Sequence, residues 1–281
     1  MTTMSPGTLY VVATPLGNLG DLSARAAELL RTVPVVAAED TRRTRGLLSH
    51  LGAAPNLLSF HAHSNEHRLD SLIEILRSGR DVALVSDAGT PTISDPGADL
   101  VAQVRTAGIP VVPIPGASAV MAALSASGLP ADRHLFLGFL PRKGRERSRL
   151  LNRAATEEWS VVLFEAPPRL VALLEDLIGL AGADRQAAVA RELTKMHEEI
   201  RTGTLGELAD YYRTVPPRGE VTVVLHGTGA PPPAPDRTED AMEQATSLLA
   251  EGLTRREVAR RLTESLGLPR NEAYKLVMEL P

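Results

Sequence analysis

Residues 81–97 read DVALVSDAGTPTISDPG. The apolar run Val82–Val85 ends in a turn rich in Ser, Asp, Gly, Thr and Pro. After a helix-like segment, a second apolar run over Ile109–Ile114 ends in the turn Pro115–Ser118. Open α/β sheets place their ligands at the carboxyl ends of strands. Two such turns in succession therefore predict a ligand pocket.

The same alternation extends over the first 227 residues. Apolar runs rich in β-branched residues alternate with amphipathic stretches, which predicts a largely parallel sheet with helices on its faces. Up to Leu129 the alternation is tight, whereas the later strands look more hairpin-like, and Arg201–Thr204 look like a turn that ends in a helix N-cap. We predict two α/β lobes, residues 8–129 and 130–227, with a ligand cleft between them.

The last part of the chain changes character. Residues 228–238 form a Pro-rich stretch, TGAPPPAPDRT, which predicts a semi-rigid linker. Residues 239–281 predict three short helices. Thr254 and Glu257 fit a capping box at the second of them, which we expect to end at Gly267. This small helical domain resembles a helix-turn-helix and is predicted to bind RNA.

The composition narrows the class of protein. The 281 residues contain no cysteine, which excludes disulfides, thiolate metal sites and a cysteine nucleophile. No apolar run approaches the roughly 20 residues of a membrane span, and no secretory signal is visible. We therefore expect a cytoplasmic protein without a membrane partner. The net charge of −4 argues weakly against a basic coat over the whole surface.

Charged residues follow several predicted strands. Glu39–Arg43, Glu165–Arg169 and Arg191–Lys195 each combine carboxylates with cations, and Glu220 precedes the last strand of the second lobe. Each could be a structural salt bridge, but their recurrence at strand ends favours one shared cleft. The first loop, residues 14–21, is neither a Walker loop nor a GxGxxG dinucleotide loop.

Two further clusters concern phosphate and metal. Residues 141–153 carry six positive charges and one negative charge, which predicts phosphate contacts, although a solvated helix face is the alternative. His61, His63 and His67 lie close in sequence, but their spacing does not match a known pattern of zinc ligands. We therefore predict no metal site. The predicted RNA-binding residues are Arg142, Lys143, Arg145, Arg147, Arg255, Arg256, Arg260 and Arg261.

Together these motifs resemble the tetrapyrrole-methylase-like superfamily, and most closely its branch that methylates small-subunit ribosomal RNA. The match runs in order through ATPLGNLGD at residues 13–21, AEDTR at 38–42, ALVSDAGTP at 83–91, SDPG at 94–97, PIPG at 113–116, GFLP at 138–141, ARELTK at 190–195 and GE at 219–220. The resemblance implies a two-lobed α/β fold with parallel and mixed sheets flanked by helices, followed by the small three-helix domain.

The resemblance also implies an activity. Such enzymes bind S-adenosylmethionine between the lobes and commonly form homodimers, and this branch methylates the ribose 2′-oxygen of a cytidine in the decoding region of 16S rRNA in the small ribosomal subunit. Carried over by motif, the cofactor-binding positions are Pro15, Asp87, Ala88, Gly89, Ile93, Ser118, Ala119, Leu140, Ala190 and Glu220.

For catalysis we expect the reacting cleft to contain Glu39, Asp40, Arg42, Asp87, Glu192 and Lys195. Glu192 or Asp40 is the base expected for the weakly acidic hydroxyl, and Lys195 or Arg42 would stabilise the alkoxide. Three alternatives remain: a corrin or porphyrin methyltransferase, a diphthamide-type protein methyltransferase, and a ribosome-assembly factor that binds RNA without catalysis. The segment Phe164–Arg169 has Phe and Pro where the family leads us to expect Tyr and His, and Ala117 stands where Pro is usual.

Overall fold

The computed structural model describes residues 5–61, 66–229, 238–266 and 270–280. The chain divides into two compact units, Met1–Ala230 and Pro231–Pro281. Most of the predicted linker, His63 and the predicted helix end at Gly267 lie outside the described residues. Among the described residues, no helix is long and apolar enough to cross a membrane.

The first half of the larger unit contains a five-stranded parallel sheet. The strands are β1 (Leu9–Val12), β2 (Val35–Ala38), β3 (Asn56–Ser59), β4 (Val82–Val85) and β5 (Val111–Ile114), in the order β3-β2-β4-β1-β5. The helices are α1 (Ala24–Thr32), α2 (Thr41–Leu51), α3 (Glu66–Arg77), α4 (Ala98–Thr106) and α5 (Ala119–Ser127). Strands β2 and β4 are short, wholly apolar and fully buried, as expected for a sheet covered on both faces. All five strands point to the same edge, where the turns quoted above meet.

The second half contains a five-stranded mixed sheet. Its strands are β6 (His134–Phe139), β7 (Ser160–Glu165), β8 (Gln186–Arg191), β9 (Glu199–Thr204) and β10 (Val221–Leu225), in the order β6-β7-β10-β8-β9. Only β6 and β7 pair in parallel. The helices are α6 (Arg145–Thr156), α7 (Leu170–Ala181) and α8 (Leu205–Thr214). Helix α5 packs on this sheet through Val120, Ala123 and Leu124, and so links the two halves.

The prediction of a turn at Arg201–Thr204 is wrong. These residues form the end of β9, which pairs antiparallel with β8 along its whole length. Strand β9 lies at the edge of the sheet and none of its residues is fully buried, so its sequence, EIRTGT, lacks an apolar run. The predicted N-cap is correct, because Thr204 and Glu207 form a complete capping box at the start of α8.

The smaller unit contains the three predicted helices, α9 (Thr238–Ala250), α10 (Arg255–Leu266) and α11 (Arg270–Glu279). Small and aliphatic side chains of all three helices form its core. The capping box before α10 is present: the Thr254 N–H donates to Glu257 Oε2 at 3.0 Å, and the Glu257 N–H donates to Thr254 Oγ1 at 3.4 Å.

A buried ion pair fixes the end of β7. The Glu165 carboxylate is completely buried and accepts from Arg169 Nη2 at 2.9 Å and from the Ala166 N–H at 2.8 Å. The same Arg169 nitrogen donates to the Leu140 carbonyl, just beyond β6, at 2.9 Å. The pair therefore ties together two loops at the carboxyl ends of neighbouring strands.

We predict that Arg169→Ala lowers the free energy of unfolding by about 3 kcal/mol, because removing one partner leaves the other charge buried and uncompensated. Urea unfolding followed by circular dichroism measures the change. Arg149→Ala is the matched control, because Arg149 pairs with Glu146 on the surface and such pairs contribute little. Equal stabilities of the two variants would contradict the structural role of Arg169.

Candidate active site

A cavity with a volume of about 340 Å³ lies at the carboxyl edge of the first sheet. Loops at the carboxyl edge of the first sheet form one wall, and the ends of β6 and β7 with the start of β10 form the other. The first wall comprises Leu16, Asp87, Ala88, Gly89, Thr90, Ile93, Ser94, Asp95, Ser118, Ala119 and Val120. The second comprises Phe139, Phe164, Glu165, Ala166, Pro167, Gly219, Glu220, Val221 and Thr222. The predicted ligand pocket is thus present between the two sheets.

Backbone pairing joins the loops that follow β1 and β4. The Thr14 N–H donates to the Gly89 carbonyl at 2.8 Å, and the Gly89 N–H donates back to the Thr14 carbonyl at 3.0 Å. Gly89 has a φ of 78°, a conformation that favours glycine, and a Cβ there would press on the Leu16 side chain. The Ser86 hydroxyl supports the turn by donating to the Gly89 carbonyl at 3.3 Å.

The loop beyond Gly89 is strained. Thr92 and Ser94 have φ values of 73° and 64°, which are uncommon for residues with a side chain. They flank Ile93 and precede Asp95, and both of these residues line the cavity. Backbone strain of this kind costs about 1–3 kcal/mol per residue and concentrates at functional sites.

Carboxylates dominate the polar surface of the cavity. Asp87 accepts from the Asp40 N–H at 3.0 Å and lies 3.5 Å from Arg43 Nη1. Burial raises the pKa of Asp95 to about 6, and the negative charge of Glu39 adds to the effect. A hydrogen bond from Ser86 opposes this rise in the pKa of Asp95.

The two acidic residues after β2 differ in their protonation chemistry. Burial and the charge of Asp87 raise the pKa of Glu39. Hydrogen bonds from Arg42 lower the pKa of Asp40 to about 2, and the Asp40 carboxylate also caps α2 by accepting from the Arg42 N–H at 2.8 Å. Asp40 therefore holds its charge firmly and is a weak proton acceptor.

The loop after β8 presents a cation beside the cavity. Lys195 Nζ lies 2.9 Å from Glu192 Oε1 and 3.7 Å from Glu220 Oε2. Glu192 has a φ of 50°, and its side chain occupies the space that a Cβ at Gly219 would fill. The Lys195 stem similarly lies where a Cβ at Gly17 would stand. The glycines at these two positions are therefore needed to place the Glu192–Lys195 pair.

The structure brings most of the predicted cofactor residues together. Seven of them line the cavity, namely Asp87, Ala88, Gly89, Ile93, Ser118, Ala119 and Glu220. Pro15, Leu140 and Ala190 do not: Pro15 precedes Leu16, Leu140 is buried and bonds Arg169 through its carbonyl, and Ala190 packs in the core beneath α5.

Sequence reasoning missed Asp95 and Phe139 as lining residues. Asp95 belongs to the SDPG motif, whose acidic residue was the available signal. Phe139 is 56 % exposed at the end of β6, immediately before the basic segment. Its orientation into the cavity had no sequence signal beyond its place at a strand end.

The predicted RNA-binding residues fall into two groups. Arg142, Lys143 and Arg145 are exposed, and none forms an ion pair with any described residue. Arg147 is only 13 % exposed, because it pairs with Asp176 at 2.6 Å on α7 and donates to the Pro141 carbonyl. The surface available for phosphate is therefore the first three cations.

In the smaller unit, Arg255 donates to the Val277 and Met278 carbonyls at the end of α11, so it fastens two helices together. Arg256, Arg260 and Arg261 are exposed on α10. His61 and His67 are also exposed, and the described residues contain no cluster of three metal-ligating side chains.

The cavity fits S-adenosylmethionine, the cofactor that the resemblance implies. Leu16, Phe139 and Phe164 offer apolar surface for an adenine ring, and the glycine at position 89 allows close backbone approach. Asp87 and Glu220 offer negative charge to a sulfonium and an ammonium group. The volume lies within the usual range of small-molecule sites.

Comparisons with known proteins agree with this geometry. The family model of the tetrapyrrole (corrin/porphyrin) methylases matches residues 8–209. "Ribosomal RNA small subunit methyltransferase I" of Synechocystis sp. is 48 % identical over 98 % of this chain and 98 % of its own, and that of Xylella fastidiosa is 46 % identical over 96 % and 98 %. Uroporphyrin-III C-methyl transferase from Thermus thermophilus, complexed with S-adenyl homocysteine, shares the fold with a TM-score of 0.58 and 22 % identity, over 78 % of this chain and 97 % of that one.

The predicted fold class and the predicted class of enzyme, a methyltransferase that uses S-adenosylmethionine, are thereby confirmed. Relatives of this similarity over nearly the whole length also confirm the branch that the motifs indicated. The chain belongs to the tetrapyrrole methylase family and, within it, to the ribosomal RNA small subunit methyltransferase I group.

Proposed function

We propose that the protein methylates the ribose 2′-oxygen of a cytidine in the decoding region of 16S rRNA, on the small ribosomal subunit. The observation that carries this proposal is the position of the free cations. Arg142, Lys143 and Arg145 begin three residues after Phe139, whose ring lines the methyl-donor cavity. A phosphate backbone bound there would bring a ribose to the mouth of the cavity.

The cofactor supplies an electrophilic methyl group when it is bound, so the protein has to supply alignment and charge. Alignment of the two reactants can lower such a barrier by roughly 7–11 kcal/mol. Lys195 is suited to stabilise the developing alkoxide, because Glu192 and Glu220 hold its ammonium group beside the cavity. We assign Glu192 and Asp40 to positioning Lys195 and Arg42, because each is committed to an ion pair.

RNA binding is assigned to two surfaces. The first is the segment of Arg142, Lys143 and Arg145, which leads into the N-terminus of α6, where backbone N–H groups also favour phosphate. The second is the exposed face of α10 with Arg256, Arg260 and Arg261. Arginine forks suit bidentate phosphate contacts.

The setting follows from the same proposal. A protein that acts on the small ribosomal subunit works in the cytoplasm, and we propose that location for this chain. We also propose the homodimer that the family resemblance implies. Eleven large apolar side chains are exposed among the described residues, including Ile93, Met121 and Phe139 near the cavity, and such surface is available for a second copy.

We expect the purified protein to transfer tritiated methyl groups from S-adenosylmethionine to small ribosomal subunits. Nuclease digestion and mass spectrometry of the RNA should identify 2′-O-methylcytidine, because the acceptor is a ribose hydroxyl. Naked 16S rRNA and uroporphyrinogen serve as comparison acceptors. Label in the tetrapyrrole or on a nucleobase would contradict the proposed function.

We predict that Lys195→Ala lowers the single-turnover rate by about 10²–10³-fold, the usual cost of removing a group that stabilises an oxyanion. Glu192→Gln should cost less than tenfold, because an amide oxygen can still accept from Lys195. Rapid quench with saturating cofactor and subunits measures both variants. If the single-turnover rate of Glu192→Gln fell as much as that of Lys195→Ala, Glu192 would be assigned as the base instead of a positioning residue.

We predict that the triple variant Arg142→Ala, Lys143→Ala, Arg145→Ala binds 16S rRNA more weakly and with a salt dependence reduced by about 2 in the slope of log K against log salt. Cofactor affinity should be unchanged. The control triple, Arg77→Ala, Arg80→Ala and Arg105→Ala, removes the same charge at the opposite edge of the first sheet, where all three residues are exposed. Equal slopes for the two triples would contradict an RNA surface beside the cavity.

A further inference from the structure

We propose that Asp95 is the catalytic residue that accepts the proton of the ribose hydroxyl during methyl transfer. The inference rests on the proposed function and names the base that the predicted residues left open. Asp95 lines the cavity at the end of the turn that follows β4. It shares that cavity with the surfaces assigned to the cofactor, so it borders the space in which the reacting atoms would lie.

Most carboxylates near Asp95 are paired with cations, whereas Asp95 itself forms no ion pair with a described residue. Nearly every other acidic side chain around the cavity lies within 4 Å of a cation: Asp40 pairs with Arg42, Asp87 with Arg43, Glu165 with Arg169, and Glu192 and Glu220 with Lys195. Asp95 and Glu39 form no ion pair with any residue that the structure describes. These two carboxylates can therefore accept a proton without breaking an ion pair.

The charges that act on Asp95 from the surrounding elements are negative. Glu39 approaches from the end of β2, Asp87 from the turn after β4, and Glu220 from the start of β10. The Ser86 side chain acts in the opposite direction and lowers the pKa of Asp95. Of the cations around the cavity, Arg43 pairs with Asp87, and Lys195 pairs with Glu192 and Glu220.

These surroundings suit general base catalysis. Burial raises the pKa of Asp95 to about 6, and the negative charges of Glu39, Asp87 and Glu220 act in the same direction. A base with a pKa near the working pH combines a high ionised fraction with useful proton affinity. Glu39 is less directly placed, because it does not line the cavity.

The backbone just before Asp95 is strained. Thr92 and Ser94 both adopt left-handed conformations in the three residues before it. Gly138 on β6 also leaves room for the Ser94 hydroxyl, which a Cβ would approach to 2.8 Å. Local sequence preference does not favour this loop, and surrounding contacts must enforce it, as expected where a side chain is held for chemistry.

The methyl transfer and the proton transfer involve only the ribose, the cofactor, Asp95 and water. The ribose oxygen forms a bond to the transferred methyl carbon while the carbon–sulfur bond breaks and its electron pair stays on sulfur. The hydroxyl proton passes to a carboxylate oxygen of Asp95, which becomes neutral. Asp95 then releases the proton to water, and S-adenosylhomocysteine and the methylated ribose leave.

The primary test compares Asp95→Asn with Asp99→Asn. Asp99 is exposed in the first turn of α4, so its substitution removes a charge four residues away without touching the cavity. We expect the single-turnover rate of Asp95→Asn to fall by about 10²–10⁴-fold, the contribution of a general base, with cofactor affinity by calorimetry within threefold of wild type. Asp99→Asn should match wild type in both.

The pH profile separates a base from a structural residue. At a cofactor concentration below saturation, where the rate reports the free protein, the wild-type rate should rise tenfold per pH unit below about pH 6 and then level off, whereas Asp95→Asn should lack this limb. Glu39→Gln removes the neighbouring charge that most disfavours ionisation of Asp95, so its limb should move to lower pH.

A readout without cofactor or RNA tests the same carboxyl. The pKa of Asp95 is higher in the folded than in the unfolded state, so its ionisation destabilises the fold increasingly as the pH rises from about 4 through 6. Asp95→Asn should therefore unfold about 2–4 °C above wild type at pH 8, and the difference should shrink below pH 4. Asp99→Asn should show no such pattern.

The outcomes separate the two proposals. Ribose methylation by wild type with an unchanged rate in Asp95→Asn overturns the role of Asp95 and leaves the proposed function standing. Absence of ribose methylation by wild type overturns the proposed function itself. A lost rate in Asp95→Asn with the acid limb still present assigns the proton elsewhere and also overturns the inference.

Discussion

Two backbone hydrogen bonds between Thr14 and Gly89 hold the loops of the first sheet in register, and the cavity depends on them. They join the segments that follow β1 and β4, which lie side by side in the sheet. Because the Gly89 turn is fixed at this point, the strained residues Thr92 and Ser94 extend from a rigid base. These backbone groups have their hydrogen-bond partners without a ligand. This wall of the cavity is therefore formed before a ligand binds.

The electrostatic constraint on this wall is the crowding of like charges. Carboxylates gather near the cavity because parallel strands deliver their following residues to one edge, and the start of β10 adds another from the opposite wall. Lys195 relieves part of the repulsion by contacting Glu192 and Glu220, whereas Asp95 and Glu39 keep theirs. A cationic cofactor would relieve more of this repulsion, so the carboxylates that raise the pKa of Asp95 in the free protein also favour binding of the cofactor.

Much of this architecture is readable from the sequence, because apolar runs that end in Gly- and Pro-rich turns have few structural solutions. The ten cofactor positions came from the family resemblance, and seven of them line the cavity. The edge strand β9 escaped prediction because its partner β8, and not its own composition, determines its conformation. Arg147 and Arg255 look like their neighbours in sequence, yet tertiary contacts with Asp176 and with the end of α11 occupy them. Pairing across long sequence separations is invisible to local pattern.

That same pairing distinguishes the charged residues by what they can do. A carboxylate or guanidinium with a close partner of opposite charge is stabilised in its ionised form and contributes geometry, as Glu165 and Arg169 do at the end of β7. An exposed cation that forms no ion pair with any described residue, such as Lys143, keeps its charge available for a phosphate. A carboxylate without a partner inside the cavity retains its affinity for a proton. The proposed methyl transfer to a ribose of RNA would use a phosphate contact outside the cavity and a proton acceptor within it, and unpaired charged residues are available for both roles.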